Sequence, residues 1–315
     1  MPAAIVNVQN LTKRFDQTPV LRGLSFSVNR GTVLGVLGPN GAGKTTAINC
    51  LTTLLAPDSG TATIAGYSVT EQPAAVRALI SLTGQFAAVD EALTAKENLV
   101  LFGRLLRLSG AAAKQRADEL LRQFELSEAA NRPVKTFSGG MRRRLDLAAS
   151  IVVLPLVLFL DEPTTGLDPR SRQQLWAVVQ DLKAQGITII LTTQYLEEAD
   201  ALADQIIVID QGQVIAEGTA DELKDKVGGK FCELRLVSPD DAVRVRALLA
   251  DIGEMTLGEM GENGPMAIAA PDGAKTLTEI VVRLEAENIP LADISLRRPS
   301  LDDVFFALTG HTTQA

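Results

Sequence analysis

The stretch Gly38-Pro39-Asn40-Gly41-Ala42-Gly43-Lys44-Thr45-Thr46 follows a short apolar run, Val33 to Leu37, and opens a segment with helical character. Glycines at these positions let backbone N–H groups close around phosphate oxygens, and the helix start behind them adds the positive end of its dipole. Lys44 can then reach β- and γ-phosphates, while the Thr45 hydroxyl can ligate Mg²⁺. The chemistry is nucleotide binding, and Thr46 is counted with the phosphate-binding residues.

Asp161 and Glu162 end a second apolar run, Leu156 to Leu160. Two carboxylates at the carboxyl end of a buried strand lie where α/β sheets bind ligands. Asp161 can hold Mg²⁺ through water, and Glu162 can orient and polarise an attacking water. Ser138-Gly139-Gly140 precedes another helical run, so Ser138 reads as an N-cap followed by flexible backbone donors, a second anion site.

Taken in order, the phosphate loop, Ser138-Gly139-Gly140, Leu160-Asp161-Glu162-Pro163 and Gly166-Leu167-Asp168 resemble an ATP-binding-cassette nucleotide-binding subunit, over roughly residues 4–225. The resemblance implies that ATP is sandwiched between two such domains, with Ser138 and Gly140 contacting the γ-phosphate held by the opposite subunit. It further implies that Phe15 stacks on adenine and that Gln85 senses Mg²⁺ and water while facing a membrane partner. Asp168 would lie in the loop that couples the two ATP sites. As cofactors it implies ATP and Mg²⁺; as partners, a second copy of the chain and separate integral-membrane permease subunits.

Two positions depart from the family pattern. Met141 stands where the signature carries Gln, replacing a polar contact by a thioether. Gln194 stands where the switch position carries His; its amide can donate to a γ-phosphate oxygen but cannot carry a proton. Slower or differently regulated turnover is expected, and the sole histidine, His311, lies in the tail. Gln194 together with Leu301-Asp302-Asp303-Val304-Phe305 is similar to the daunorubicin/doxorubicin-resistance type of exporter subunit. An importer ATPase and a soluble cassette ATPase acting on ribosomes or DNA are the rival readings.

These residues need a scaffold. Alternating runs at 4–11 and 20–28 predict antiparallel strands in a β-rich lobe. Buried strands at 33–37, 156–160 and 188–192, each followed by a loop and helix, predict a parallel α/β core. A helix is expected from Lys44 to about Leu55, and helical spacing over 92–130 predicts an inserted helical subdomain, about 90–155. The cassette is placed at 1–226. After the charged, Gly-rich link at 225–230, the order βαββαβ predicts a ferredoxin-like α+β domain over 230–310, with a terminal helix from Ser300.

Composition limits the partners. The 315 residues carry 30 Lys+Arg against 38 Asp+Glu, a formal charge of −8, which disfavours a phosphate backbone as partner. The one dense basic run, Arg142 to Arg144, reads as a solvated helix face, and Glu197, Glu198 and Asp200 read as charge bias at a helix start. Cys50 and Cys232 read as buried free thiols. The longest apolar stretch, Leu147 to Leu160, is shorter than the ~20 residues a bilayer span needs. With no signal peptide expected either, the chain is placed at the cytoplasmic face of the membrane as a peripheral subunit.

Overall fold

A computed structural model describes residues 4–84, 88–227, 229–253, 255–257 and 266–309. The chain folds into two compact units, Met1–Ala220 and Asp221–Ala315.

Burial alternates over Val6–Val8 of β1 (Ala4–Phe15) and Leu24–Val28 of β2 (Thr18–Asn29), and the two pair antiparallel with register shifts along β1. β3 (Val33–Leu37), buried at all five positions, runs into α1 (Lys44–Leu51). That helix stops earlier than the expected Leu55. Thr53 is left-handed at φ 64°, and the Leu54 and Leu55 amides fold back onto the Asn49 carbonyl. β4 (Ser59–Ile64) and β5 (Tyr67–Ser68) complete an antiparallel sheet in the order β2-β1-β4-β5, and α2 (Pro73–Arg77) leads to β6 (Ile80–Thr83).

Three helices follow: α3 (Ala95–Leu105), α4 (Gly110–Gln123) and α5 (Gly139–Ser150). α3 starts on a capping box in which the Thr94 hydroxyl accepts from the Glu97 amide and the Glu97 carboxylate accepts from the Thr94 amide. The chain then returns to the sheet through β7 (Val157–Asp161), α6 (Pro169–Ala184), β8 (Thr188–Thr193), α7 (Leu196–Leu202), β9 (Gln205–Asp210) and β10 (Gln213–Gly218). This sheet runs β10-β9-β3-β8-β7-β6, parallel except for β10. Its residues alternate between two cores: Leu158 and Leu160 join the helical block, while Val157 and Phe159 join the β-lobe and α1. β7 is thereby clamped on both faces, as a parallel central strand requires.

α8 (Ala220–Val227) begins at the last residue of the first unit, and the second continues with β11 (Phe231–Leu236), α9 (Ala242–Leu249), β12 (Met255–Leu257), β13 (Met266–Ala269), α10 (Ala274–Ala286) and β14 (Leu291–Arg297). The sheet order β12-β13-β11-β14, antiparallel throughout, is that of the expected ferredoxin-like domain. Its core includes Cys232, Leu234, Val245, Ile268 and Ile280. α11 (Leu301–Thr309) begins on Ser300, whose hydroxyl accepts from the Asp303 amide. Both cysteines are buried and free, and burial pushes the Cys50 thiol up to about 11. No helix among the described residues is long and apolar enough to cross a membrane.

Candidate nucleotide site

β8 lies between β3 and β7, and parallel register aligns the three carboxyl ends: Thr193 pairs with Leu37 and Thr192 with Asp161. The phosphate loop after β3, Gln194 after β8 and Glu162 after β7 therefore emerge along one edge. A cavity of about 350 Å³ opens there, lined by Pro39–Gly41, Gly43–Thr46, Glu162 and Val20. Val20, from the β-lobe, was not anticipated from sequence; its contribution depends on how β2 lies against the loop. Gly43 has φ 107°, and a Cβ there would sit 2.9 Å from Leu21 Cδ2 and 3.1 Å from the Val20 carbonyl, so no side chain fits.

Lys44 is buried. Its ammonium donates to the Gly38 carbonyl at 2.7 Å and the Pro39 carbonyl at 3.2 Å. Burial lowers its pKa, against the raising effect of the nearby Glu162 and Asp161 carboxylates. Asp161 is 4% exposed; its Oδ1 accepts from Thr192 Oγ1 at 2.5 Å and from Thr45 Oγ1 at 3.3 Å. Among the described residues no cluster of three His, Cys, Asp or Glu could hold a metal. One hydroxyl and one carboxylate side by side nevertheless suit Mg²⁺, which keeps waters and substrate phosphates in its remaining positions.

Glu162 has a left-handed backbone at φ 48°, uncommon for a residue with a side chain. Its amide is held by the Thr192 carbonyl and hydroxyl, both at 3.1 Å, and Thr165 Oγ1 donates to its carboxylate at 3.3 Å. The strand end thus turns its carboxylate toward the cavity instead of continuing the pleat.

The remaining predicted residues divide. Phe15 is 47% exposed at the end of β1, with the Lys13 ammonium 6.0 Å from its ring, so it is a surface aromatic rather than core. Ala42 is buried, and its carbonyl accepts from the Gly212 amide. Ser138 caps α5, accepting from the Met141 amide at 3.2 Å; Ser138 and Gly139 are exposed, and neither lines this chain's own cavity. Gly140 is closed in, for a Cβ would lie 2.3 Å from Ser171 Oγ. That hydroxyl donates to Asp168, which caps α6 and also accepts from the Ser171 amide. Gly140 and Asp168 therefore meet through Ser171. The Met141 side chain packs on the helical block. Gln194 is half-buried, and Gln85 and His311 lie outside the described residues.

One sequence reading requires correction. The Arg142–Arg144 run is not a solvated face. Arg142 pairs with Glu91 at 2.7 Å, Arg144 donates to the Phe124 carbonyl at 3.0 Å, and the Arg143 side chain is 11% exposed with its guanidinium on main-chain carbonyls of Gly84, Asp161, Glu162 and Pro163. Three consecutive helical residues turn about 100° each, so they cannot share one face.

Glu198 lies in the first turn of α7, as its reading from the sequence placed it, and is wholly buried there. Its Oε1 accepts from Trp176 Nε1 at 3.1 Å, and the Thr193 and Thr164 hydroxyls lie beside the carboxylate, although Oε2 meets no partner at full hydrogen-bond geometry among the described residues. Burial raises its pKa above the ordinary carboxylate value. The unfolded chain ionises in the usual range near ~4.3 and the folded one only at higher pH, so this group favours folding at low pH and loses that contribution as pH rises through the folded value. The melting-temperature advantage of the native chain over Glu198→Gln should therefore shrink from pH 4 to pH 8 in calorimetric scans; a pH-independent difference would contradict it.

A parallel-sheet core with a phosphate loop, a strand-end Asp-Glu pair and an inserted helical block defines an ATP-binding cassette, and the chain belongs to the ABC transporter family, whose profile matches residues 21–165. It is 52% identical over 318 residues to the doxorubicin resistance ATP-binding protein DrrA of Mycobacterium tuberculosis, covering 99% of this chain and 95% of that one. Daunorubicin/doxorubicin resistance ATP-binding protein DrrA of Streptomyces peucetius is 49% identical over 98% of this chain and 94% of its own length. Among solved structures, a dimeric ATP-binding cassette in a post-hydrolysis state with ADP and Pi superposes with TM-score 0.62 at 25% identity, covering 68% of this chain and 98% of that one. The chain is an ATP-binding and ATP-hydrolysing subunit of an ABC transporter.

Proposed function

We propose that two copies of this chain power an exporter that moves a hydrophobic drug, antibiotic or lipid across the cell membrane, acting on separate permease subunits from the cytoplasmic face. The observation that carries the reading is the convergence of Lys44, Thr45 and Glu162 on one cavity, with Asp161 hydrogen-bonded to Thr45 behind it. The cargo class rests on the names of the drug-resistance relatives.

ATP enters with its phosphates against the Gly41–Thr46 backbone and its base on Phe15, whose exposed ring offers a stacking face. Lys44 exchanges its carbonyl partners for phosphate oxygens. Thr45, Asp161 and Gln85 would hold Mg²⁺, which would supply neutralisation of the developing phosphate charge. Glu162 takes a proton from the attacking water, and Gln194 donates its amide to a γ-phosphate oxygen. Ser138 and Gly140 of the opposite copy close the phosphate, and Asp168, tied to Gly140 through Ser171, relates one site to the other.

Gln194 makes a prediction. Gln194→His should change turnover by about three- to tenfold and add an inflection near ~6.5 to its pH profile, because imidazole titrates there and an amide does not. Unchanged turnover and a superimposable profile would remove Gln194 from the site.

The transport reading is tested by tagging the chain in its host and identifying what stays bound in mild detergent. A multi-span hydrophobic protein in stoichiometric amount supports it. Recovery only with ribosomes, DNA-binding proteins or nothing would overturn it.

A further inference from the structure

One buried polar pair that no step above uses is Arg143–Asp146 on α5. Arg143 Nε donates to the Pro163 carbonyl at 2.8 Å, Nη1 to the Gly84 carbonyl at 2.6 Å, and Nη2 to those of Asp161 and Glu162 at 3.3 and 3.4 Å. Its Nη1 lies 3.6 Å from Asp146 Oδ2, and Asp146 Oδ1 accepts from the Ala88 amide at 2.7 Å. One side chain thus holds three successive carbonyls of the catalytic turn and one residue before Gln85, and its partner holds an amide beyond it.

We infer that Arg143, anchored by Asp146, is the positioning residue that fixes the backbone from which Glu162 projects and ties it to the chain on either side of Gln85. Neutralising Asp146 alone would not demand this arrangement, since a buried ion pair rarely stabilises more than an apolar pair of the same size. What the guanidinium fork supplies is direction: five donors in a rigid plane set the orientation of peptide groups that an ammonium or a methyl group would leave free. Glu162 needs such support, because its left-handed backbone persists only where surroundings over-determine it. Thr192 holds that residue's amide side and Arg143 its carbonyl side. The inference rests on Glu162 being the base, and its test separates the two claims.

Arg143→Met and Arg143→Lys are compared with the native chain for turnover, KM for Mg-ATP and melting temperature, each also combined with Glu162→Gln. Expected is a 10- to 50-fold loss of kcat with KM within about threefold, milder for Lys than for Met, and no further loss when Arg143→Met is added to Glu162→Gln, because coupled residues are non-additive. If Arg143→Met does not fold, Arg143→Lys carries the same comparison. Losses that multiply with those of Glu162→Gln, or that appear in KM, would overturn the positioning role. Full turnover in Glu162→Gln alone would instead remove the base assignment.

Discussion

Glu162→Gln is expected to lower steady-state ATP turnover by about 10²–10³-fold while changing ATP affinity by less than about threefold, since a positioned general base contributes on that scale. The loss corresponds to roughly 3–4 kcal/mol of barrier. Gln fills the same volume and its amide oxygen can still accept from Thr165 Oγ1, so the turn held by Thr192 survives the change. What disappears is the basic oxygen facing the cavity. A phosphate-release assay at saturating Mg-ATP reads the effect, and turnover within twofold of the native chain would exclude the role.

Lys44→Met should weaken ATP binding by about 10²-fold, the size of losing a charge-assisted contact in a closed site. The ammonium already sits buried on the Gly38 and Pro39 carbonyls, so its desolvation is part of the folded state rather than of the binding step. Met keeps the aliphatic stem and its packing. Fluorescent-nucleotide titration should show the loss with the circular dichroism of the native fold, and undiminished affinity would place the phosphates elsewhere.

The legible parts of this site are those whose chemistry is local. Gly38–Gly43 must be a loop between strand and helix, Asp161-Glu162 must cap an apolar strand, and Ser138 must start a helix; each follows from a few neighbouring residues. The βαββαβ order of the second unit was legible for the same reason, as its turns and alternation are short-range. Helix ends were less so: α1 stops at Leu51 because Thr53 turns left-handed, which no residue pattern announces.

Residues whose role depends on long-range register stayed hidden. Arg143 reaches Gly84 and Asp161–Pro163 only because β6 and β7 pair beside α5. Glu198 is buried because Trp176 of α6 packs over α7. Signals existed for both: three consecutive arginines cannot share a helix face, and Glu198 falls on the same turn-to-turn row as the buried Leu202. Composition read the arginines as solvent-facing and said nothing of burial at Glu198, whereas spacing along the helix places both inward. The left-handed backbone at Glu162 had no sequence signal, because it is imposed by contacts from β8 and α5.

In the proposed transporter each nucleotide is shared between two copies, the cavity of one facing the Ser138 helix start of the other. This sharing is tested most directly by sedimenting Glu162→Gln chain with and without saturating Mg-ATP. The prediction is a monomer without nucleotide and a dimer with two ATP per pair when it is present, lost again when Lys44→Met is added. A monomer that binds one ATP and never dimerises would contradict it.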